Sequence, residues 1–224
     1  MPNFTWSYSS LSLFQQCPRK YHRLRVVKDI KEGTTEALTY GKEAHKAAEE
    51  YVRDGKPIPP QFSYMQKYLD PLIALPGEKL CEYEMGLTYE LKPCGFKAPD
   101  VWWRGIADLL IIDGPKARLI DYKTGKSSQY ADVKQLELLS LATFKHFPEV
   151  QSIKAGLIFI VAEDLVKAEY AFDQQHDIWA KWLPELSRLE KSYEVDVWNA
   201  KPNFTCKKFC PITDCEHNGK GEWR

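Results

Sequence analysis

The sequence predicts an α/β sandwich, a mixed β-sheet covered by helices. Three observations predict it. Helical periodicity fills the stretch from about Ser7 to Leu75, alternating or continuous apolar runs follow from Lys79 to Phe172, and an amphipathic helical pattern ends the regular part at about Tyr193. With 224 residues, 44% hydrophobic, 28% charged and 13% aromatic, the chain can bury one core, and its composition excludes a disordered, collagen-like or coiled-coil protein. A formal net charge of zero excludes a generally cationic coat, so any contact with phosphate must come from a local patch.

The first part reads as helices. Ser7-Tyr8-Ser9-Ser10 offers N-caps for a helix running through Leu11, Phe14 and Tyr21, because a serine hydroxyl accepts a first-turn N–H that has no partner within the helix. Ala37, Gly41, Ala44, Ala48 and Tyr51 recur at helical spacing and predict a second helix over about Glu36–Arg53, stopped by Gly55 and the Pro57–Pro60 cluster. Tyr64, Tyr68, Leu72 and Leu75 form a third pattern before Pro76-Gly77.

The middle reads mainly as strands. Lys79–Leu91 alternates until Pro93-Cys94-Gly95 breaks it. Trp102–Ile112 and Ala117–Lys123 flank the turn Asp113-Gly114-Pro115-Lys116, a hairpin signal. Val133–Phe147 is a helix with Leu136, Leu139, Thr143 and Phe147 along one stripe. Ile153–Val161 is almost continuously apolar, which suits a strand buried on both faces, and Val166–Phe172 could pair beside it. The last helix, about Gln174–Tyr193, turns Ile178, Trp182, Leu186, Leu189 and Tyr193 inward. The tail beyond is too polar and Cys-rich to build its own core, and the chain carries no internal repeat or low-complexity tract.

The N-terminus lacks a basic start followed by an apolar run, and no apolar stretch approaches the roughly 18 residues that span a bilayer, so a cytoplasmic protein is expected. In that compartment thiols stay reduced, so six cysteines are not read as three disulfides. Cys206, Cys210 and Cys215 crowd the tail, while Cys17, Cys81 and Cys94 lie far upstream. A metal or iron–sulfur site stands beside inert buried thiols as a reading of them.

The sharpest signal is one of register. If the hairpin turns symmetrically about Gly114-Pro115, Asp113 faces Lys116, and counting back along both strands sets Asp108 directly across from Asp121. Opposed residues have Cβ atoms only about 4.5–5.5 Å apart, and like charges there are destabilising. Both aspartates also sit among Ile106, Leu109, Leu110, Leu119 and Ile120, where an unpaired charge is costly. A divalent cation such as Mg²⁺ between them would compensate. Lys123 lies two residues beyond Asp121, on the same strand face. Tyr122 points the other way, but its backbone carbonyl can reach the metal. A cation beside a metal-bound phosphate stabilises developing negative charge and orients a water, which fits phosphodiester hydrolysis. The alternative is a strand-end salt bridge between Asp121 and Lys123 with Asp108 as a partly exposed edge residue, and a loop of odd length would shift the register by one.

Gly105-Ile106-Ala107-Asp108 followed by Ile120-Asp121-Tyr122-Lys123-Thr124-Gly125 resembles the core of the PD-(D/E)XK nuclease superfamily. More narrowly it resembles the RecB-like exonuclease branch, which includes CRISPR-associated and phage-encoded nucleases. Ser10-Leu11 through Cys17-Pro18-Arg19-Lys20-Tyr21 is similar to that branch's N-terminal helix, Gly41-Lys42-Glu43-Ala44-His45 to its Gly-x-x-x-His motif, and Gln135 to the start of its Gln-x-x-x-Tyr motif. The likeness spans about Ser9 to Cys215. Leu139 stands where the tyrosine is expected, and Glu82 and Glu84 lie on the strand that sometimes carries an acidic residue.

The resemblance implies a restriction-endonuclease-like three-layer sandwich, its central mixed sheet flanked by helices. It implies one nuclease domain over residues 1–224: a helical part over 1–75, a catalytic α/β core over 79–193, and a Cys-rich tail over 194–224 packed on the N-terminal helix. His45, Asp108, Asp121 and the Tyr122 carbonyl would bind Mg²⁺ or Mn²⁺, Lys123 would assist the water, and Gln135 would position substrate or water. Exonuclease action on DNA ends with a single-strand preference follows from the resemblance, as do a helicase, recombinase or integrase partner and a bacterial, archaeal or phage-infected host cytoplasm. The alternative is a non-catalytic nucleic-acid-binding or structural subunit of a recombination or CRISPR-adaptation complex.

Relatives with a [4Fe–4S] cluster use one N-terminal and three C-terminal cysteines, which here maps onto Cys17, Cys206, Cys210 and Cys215. Three and four residues separate the last three, where relatives have two and five over the same span. A zinc site on these cysteines, with His217 possible, and unligated thiols are the other two readings. Cys81 and Cys94 read as a buried strand thiol and a loop residue. For DNA contact the cationic run of Arg19, Lys20, His22, Arg23, Arg25 and Lys28 beside Tyr21 is the candidate, joined by Lys207-Lys208 if the chain ends meet. Such a run also suits a plain solvated helix face. Trp102 and Trp103 could stack on DNA or pack in the core.

Overall fold

The computed structural model describes residues 4–129 and 131–219. Two compact units divide the described residues: one holds those within 4–5 and 35–178, the other those within 6–34 and 179–219. No described helix is long and apolar enough to cross a membrane.

The first unit is built on a six-stranded mixed sheet of order β2-β1-β3-β4-β5-β6, in which β1 is Glu78–Leu87, β2 Pro93–Cys94, β3 Trp103–Asp113, β4 Lys116–Lys123, β5 Ser152–Phe159 and β6 Asp164–Ala171. Only β4 and β5 run parallel, joined across helix α5 (Lys134–His146), as a parallel pair requires. The predicted hairpin is present: Asp113 faces Lys116, Ile112 faces Ala117 and Leu109 faces Ile120. Gly114, at φ 55°, supplies the positive dihedral that a two-residue hairpin loop needs at its first central position. Pro93-Cys94, expected only as a break, pairs with Gly86 and Leu87. Proline tolerates this place because β2 lies at the sheet edge, where a missing N–H interrupts no further ladder.

One face of the sheet is covered by α3 (Glu36–Asp54) and α4 (Gln66–Ile73). Thr35 caps α3 by accepting the Leu38 N–H, and Gly55 ends it at φ 66°. Ala44, Ala47 and Ala48 of α3 and Leu69 of α4 bury against Leu109, Ile111, Ile120, Tyr122 and Ile158. The small alanines let the helix approach the strands, and each fully buried Leu or Ile contributes roughly 1.5–3 kcal/mol. Helix α5 contacts the sheet through Leu139, set against Gly105, and Thr143, whose Oγ1 lies 3.8 Å from Met85 Sδ. The sequence predicts a single apolar stripe on α5, yet Leu136 and every residue from Leu138 to Phe144 are buried. Trp102 and Trp103 are buried too, in line with the packing alternative rather than with stacking on DNA.

The second unit contains α1 (Tyr8–Gln16), α2 (Pro18–Tyr21), a π-helical turn His22–Val27, most of α6 (Gln175–Val195) and the tail. Ser7 and Ser10 form a reciprocal capping box at the start of α1. The sequence predicts one helix through Tyr21, but it breaks at Cys17, whose φ is −163°. Pro18 is the cause, since its ring pushes the preceding residue out of the helical region. Phe14, Tyr21 and Trp198 form an aromatic core, with Tyr21 and Trp198 stacked at 5.8 Å. From α6, Trp182, Leu186 and Leu189 are buried as the periodicity predicts.

Gly105 gives a test of the packing. A Cβ there would meet the Trp103 ring at 2.7 Å and Leu139 Cδ2 at 2.9 Å, both buried. Gly105→Ala is expected to cost about 1–3 kcal/mol, read as a lower urea midpoint at unchanged denaturant slope. An unaltered midpoint would show that the contact is not tight.

Candidate metal centre

A regular strand sends alternate side chains to opposite faces. In β1 and β3 that alternation fails at one level of the sheet. Cys81, Leu109 and Ile111 pack with the α3–α4 cluster, whereas Met85 and Gly105, of the same parity, contact α5. The failure lies at Glu82 and Asp108, which stand across from each other between the bonded pairs Cys81↔Leu109 and Tyr83↔Ala107. Glu82 has φ 48°, a left-handed conformation unusual for a residue with a side chain and commonest where function holds it. The β3–β4 ladder also ends at Leu109↔Ile120. Asp108 therefore accepts the Tyr122 N–H through Oδ2 at 2.7 Å, a bond from backbone to carboxylate in place of the next ladder pair.

At this opening three donors converge. One ligand atom each from His45, Glu82 and Asp108 lies within 4.8 Å of the others, the only such trio of His, Cys, Asp or Glu donors among the described residues. The sequence paired His45 and Asp108 with Asp121 and left Glu82 and Glu84 undecided. In the structure Glu82 completes the trio and Glu84 is exposed. The Tyr122 carbonyl, expected on the metal, accepts from His45 Nε2 at 2.9 Å. A carbonyl only accepts, so Nε2 carries the proton. Nδ1 then faces Asp108 Oδ2 at 3.4 Å. An imidazole whose far N–H is held by a backbone carbonyl is the arrangement that orients metal-bound histidines.

The electrostatics follow from crowding. Burial, then the charge of Asp108, pushes Glu82 up to about 7. Burial would lower the proton affinity of His45, but Asp108, Asp121 and Glu82 outweigh it and raise it. Asp121, 3% exposed, is raised by burial and by Asp108, against the pull of Lys123. Lys123 Nζ lies 2.6 Å from Asp121 Oδ2, an ion pair whose angles fall outside hydrogen-bond geometry. The same ammonium donates to Gln135 Oε1 at 3.1 Å. Gln135, at the start of α5, thus holds the lysine. Leu139, where the resemblance expects tyrosine, is buried against Gly105 and offers no phenol. A cleft of about 770 Å³ opens beside these groups, lined in part by His45, Glu82, Tyr122 and Lys123.

The second unit holds the other sequence candidates. Tyr21, expected to stack on bases, is 1% exposed, with its hydroxyl bonded to Tyr193 at 2.9 Å; burial removes it from any DNA contact. The arginines beside it pair with carboxylates, some distant in sequence and some near: Arg19 with Glu216, Arg23 with Asp214 and with Asp29, Arg25 with Glu32. Lys20 reaches the Gln16 amide at 3.5 Å. Cys17 Sγ accepts the Lys201 N–H at 3.4 Å, and Cys206 Sγ accepts the Asn203 N–H at 3.4 Å. Burial raises the Cys210 thiol, against a bond from the Ile212 amide, with Cys206 and Cys17 near enough to add to the rise.

A search of curated proteins finds no match. Among solved structures, a protein from Eubacterium rectale named "Putative exonuclease" has a TM-score of 0.56 and 10% identity, covering 94% of this chain and 88% of that one. A second, SSO0001, has a TM-score of 0.43 and 15% identity, covering 96% of this chain and 87% of that one. The family model described as the PD-(D/E)XK nuclease superfamily matches residues 5–75 and 62–215. With that match over nearly its whole length, the chain belongs to the PD-(D/E)XK nuclease superfamily.

Proposed function

We propose that this protein hydrolyses DNA phosphodiester bonds with Mg²⁺ or Mn²⁺, as a RecB-like exonuclease preferring single-stranded ends. The observation that carries the reading is the convergence of His45, Glu82 and Asp108 beside the Asp121–Lys123 pair, on a cleft large enough for a nucleotide. One imidazole with carboxylate oxygens suits Mn²⁺ and Mg²⁺. A cation held there supplies Lewis acidity toward a phosphate oxygen and acidifies a bound water. Asp108 has a double task, since its carboxylate accepts the Tyr122 N–H through Oδ2 and also belongs to the ligand trio. Asp121 and Gln135 hold the Lys123 ammonium at one place, where it can meet the negative charge that grows on phosphate oxygens. Gln135 serves in this reading chiefly through Lys123. Exonuclease action is supported by the resemblance and by the name of the Eubacterium rectale protein; the single-strand preference rests on the resemblance. A helicase, recombinase or integrase would deliver such ends. The two compact units are taken together as one nuclease domain, because the family match runs through both.

For the cysteines we propose a [4Fe–4S] cluster on Cys17, Cys206, Cys210 and Cys215. Amide N–H groups are directed at the Cys17 and Cys206 sulfurs, the kind of hydrogen bonding that cluster sulfurs receive. A single zinc ion, with Zn–S about 2.3 Å, needs sulfurs about 3.8 Å apart. No three of these sulfurs lie within 4.8 Å of one another. A polynuclear cluster spaces its thiolates more widely, because iron and sulfide lie between them.

Digestion of end-labelled DNA tests the enzyme. Wild type should cut with Mn²⁺ and stop with EDTA, and Asp121→Ala or Asp108→Ala should abolish cutting. Lys123→Ala should lower kcat roughly 100- to 1000-fold, the usual cost of losing one group that stabilises developing charge. Undiminished cutting by Asp121→Ala would remove the mechanism. Metal titration separates the two glutamates. Mn²⁺ should raise the melting temperature of wild type and of Glu84→Ala but not of Glu82→Ala or His45→Ala, since a ligand stabilises only the state it binds. An equal rise in Glu82→Ala would exclude Glu82 as a ligand. Anaerobically purified protein should be brown and contain iron, lost in Cys210→Ser; colourless, iron-free wild type would overturn the cluster.

A further inference from the structure

Helix α3 brings more than His45 to the cleft. Lys42 and Lys46, one turn apart, line the same cavity as His45, Glu82 and Lys123. Both side chains are exposed, and neither makes an ion pair among the described residues. Most surface lysines are simply solvated, so the surroundings decide. Elsewhere in the same unit Lys67 pairs with Glu163 and Lys154 with Glu169. Lys46 has Glu49 and Glu50 three and four residues ahead, the positions that would neutralise it along a helix. Both are taken: Arg53 holds Glu49 and Lys56 holds Glu50. Lys42 has Leu38 and Lys46 four residues away and Thr39 and His45 three away, so no acid stands at the spacings that pair along a helix; Glu43, the next residue, does not share its face. Two like charges at this spacing repel each other, which disfavours the arrangement until an anion lies between or beside them.

We infer that Lys42 and Lys46 bind two successive backbone phosphates of the DNA strand next to the one being cut, so that α3 sets where the strand lies. The inference rests on the nuclease reading and deepens it. Four residues of α-helix advance about 6 Å, the order of one nucleotide step in an extended strand. Lys123 then faces the reacting phosphate, while the two helix lysines face its neighbours. Leu38, exposed at the N-terminal end of this row, and Phe159 add apolar wall to the cleft against which a base can rest. Gly41 keeps the row close to β4, because a Cβ there would stand 3.3 Å from Thr124 Oγ1. The contacts are to phosphate, so they fix position without reading sequence.

The test is binding of a fluorescent oligothymidylate by full-length protein across a salt series, with Ca²⁺ replacing Mn²⁺ to prevent cutting, together with steady-state cleavage in Mn²⁺. Each single-strand phosphate contact contributes about 0.7 to the slope of log affinity against log salt, so Lys42→Ala/Lys46→Ala should flatten the slope by about 1.4. Affinity at low salt should fall on the order of tenfold or more, equally for a mixed-sequence oligonucleotide, and KM should rise by more than kcat falls. Lys92→Ala, outside the cleft, should keep the wild-type slope. Unfolding midpoints check that each variant is intact; Lys42→Gln/Lys46→Gln replaces the alanine pair if that pair is unstable. A wild type that cuts, with a double variant that keeps slope and KM, overturns the lysine assignment and leaves the nuclease reading standing. A wild type that neither binds nor cuts overturns both.

Discussion

Glu82, Asp108 and Asp121 would repel one another in any arrangement that brings them this close, and the first unit is arranged to bring them close. For Glu82 and Asp108, whose ligand oxygens lie within 4.8 Å of each other, the opposition of two full charges at an effective dielectric of about 20 is about 3.5 kcal/mol or more. The protein relieves part of this by raising the proton affinity of Glu82 and by setting Lys123 against Asp121. The remainder is a standing preference for a cation, which explains why the strands open here rather than continue their ladders. An unbroken β1–β3–β4 ladder would turn all three carboxylates to the face opposite Cys81, Leu109 and Ile120, away from His45 of α3.

The opening also makes the site a product of both helical layers. His45 comes from α3 on one face of the sheet and Gln135 from α5. Each steadies a strand group: His45 through the Tyr122 carbonyl and Gln135 through the Lys123 ammonium. Apolar packing fixes both helices, by Ala44, Ala47 and Ala48 for α3 and by Leu139 against Gly105 for α5. Small residues at these contacts therefore act on chemistry by distance: a bulkier side chain would lift a helix and carry its polar group with it.

The hairpin register was legible because a two-residue loop with Gly114 leaves one symmetric pairing, but the ladder ends at Leu109↔Ile120, one pair short of the opposition of Asp108 and Asp121 that the register implies. Glu82 was not legible. Alternation puts Glu82 and Glu84 on the same face, and only the positive φ at Glu82 sends its carboxylate to His45. That conformation is imposed by tertiary context, and glutamate carries no local signal for it; a glycine there would have given one. The acidic partners of the basic run were hidden for a related reason. Arg19 and Arg23 look free in sequence because Glu216 and Asp214 lie almost two hundred residues away. Pro18, by contrast, carried a readable warning: a proline inside an apparently continuous helix marks the break found at Cys17.

The tail presents the opposite problem from the metal centre, too little interaction rather than too much repulsion. Among its described residues the buried groups are Cys206, Ile212 and Cys215, while Phe204 and Phe209 are 82% and 70% exposed. Arg19–Glu216 and Arg23–Asp214 tie it to the N-terminal helices, but exposed ion pairs contribute little. Lys201 to the Gln15 carbonyl and Asn203 to the Gln16 carbonyl add two hydrogen bonds. These contacts specify where the tail lies more than they stabilise it. Folding an irregular segment against its conformational entropy needs a stronger stabilising interaction, and thiolate ligation supplies one when a site forms only in the folded chain. Three of the four cysteines are already buried at the junction of helix and tail without a disulfide among them, so the missing stabilisation and the unclaimed sulfurs fall in the same place.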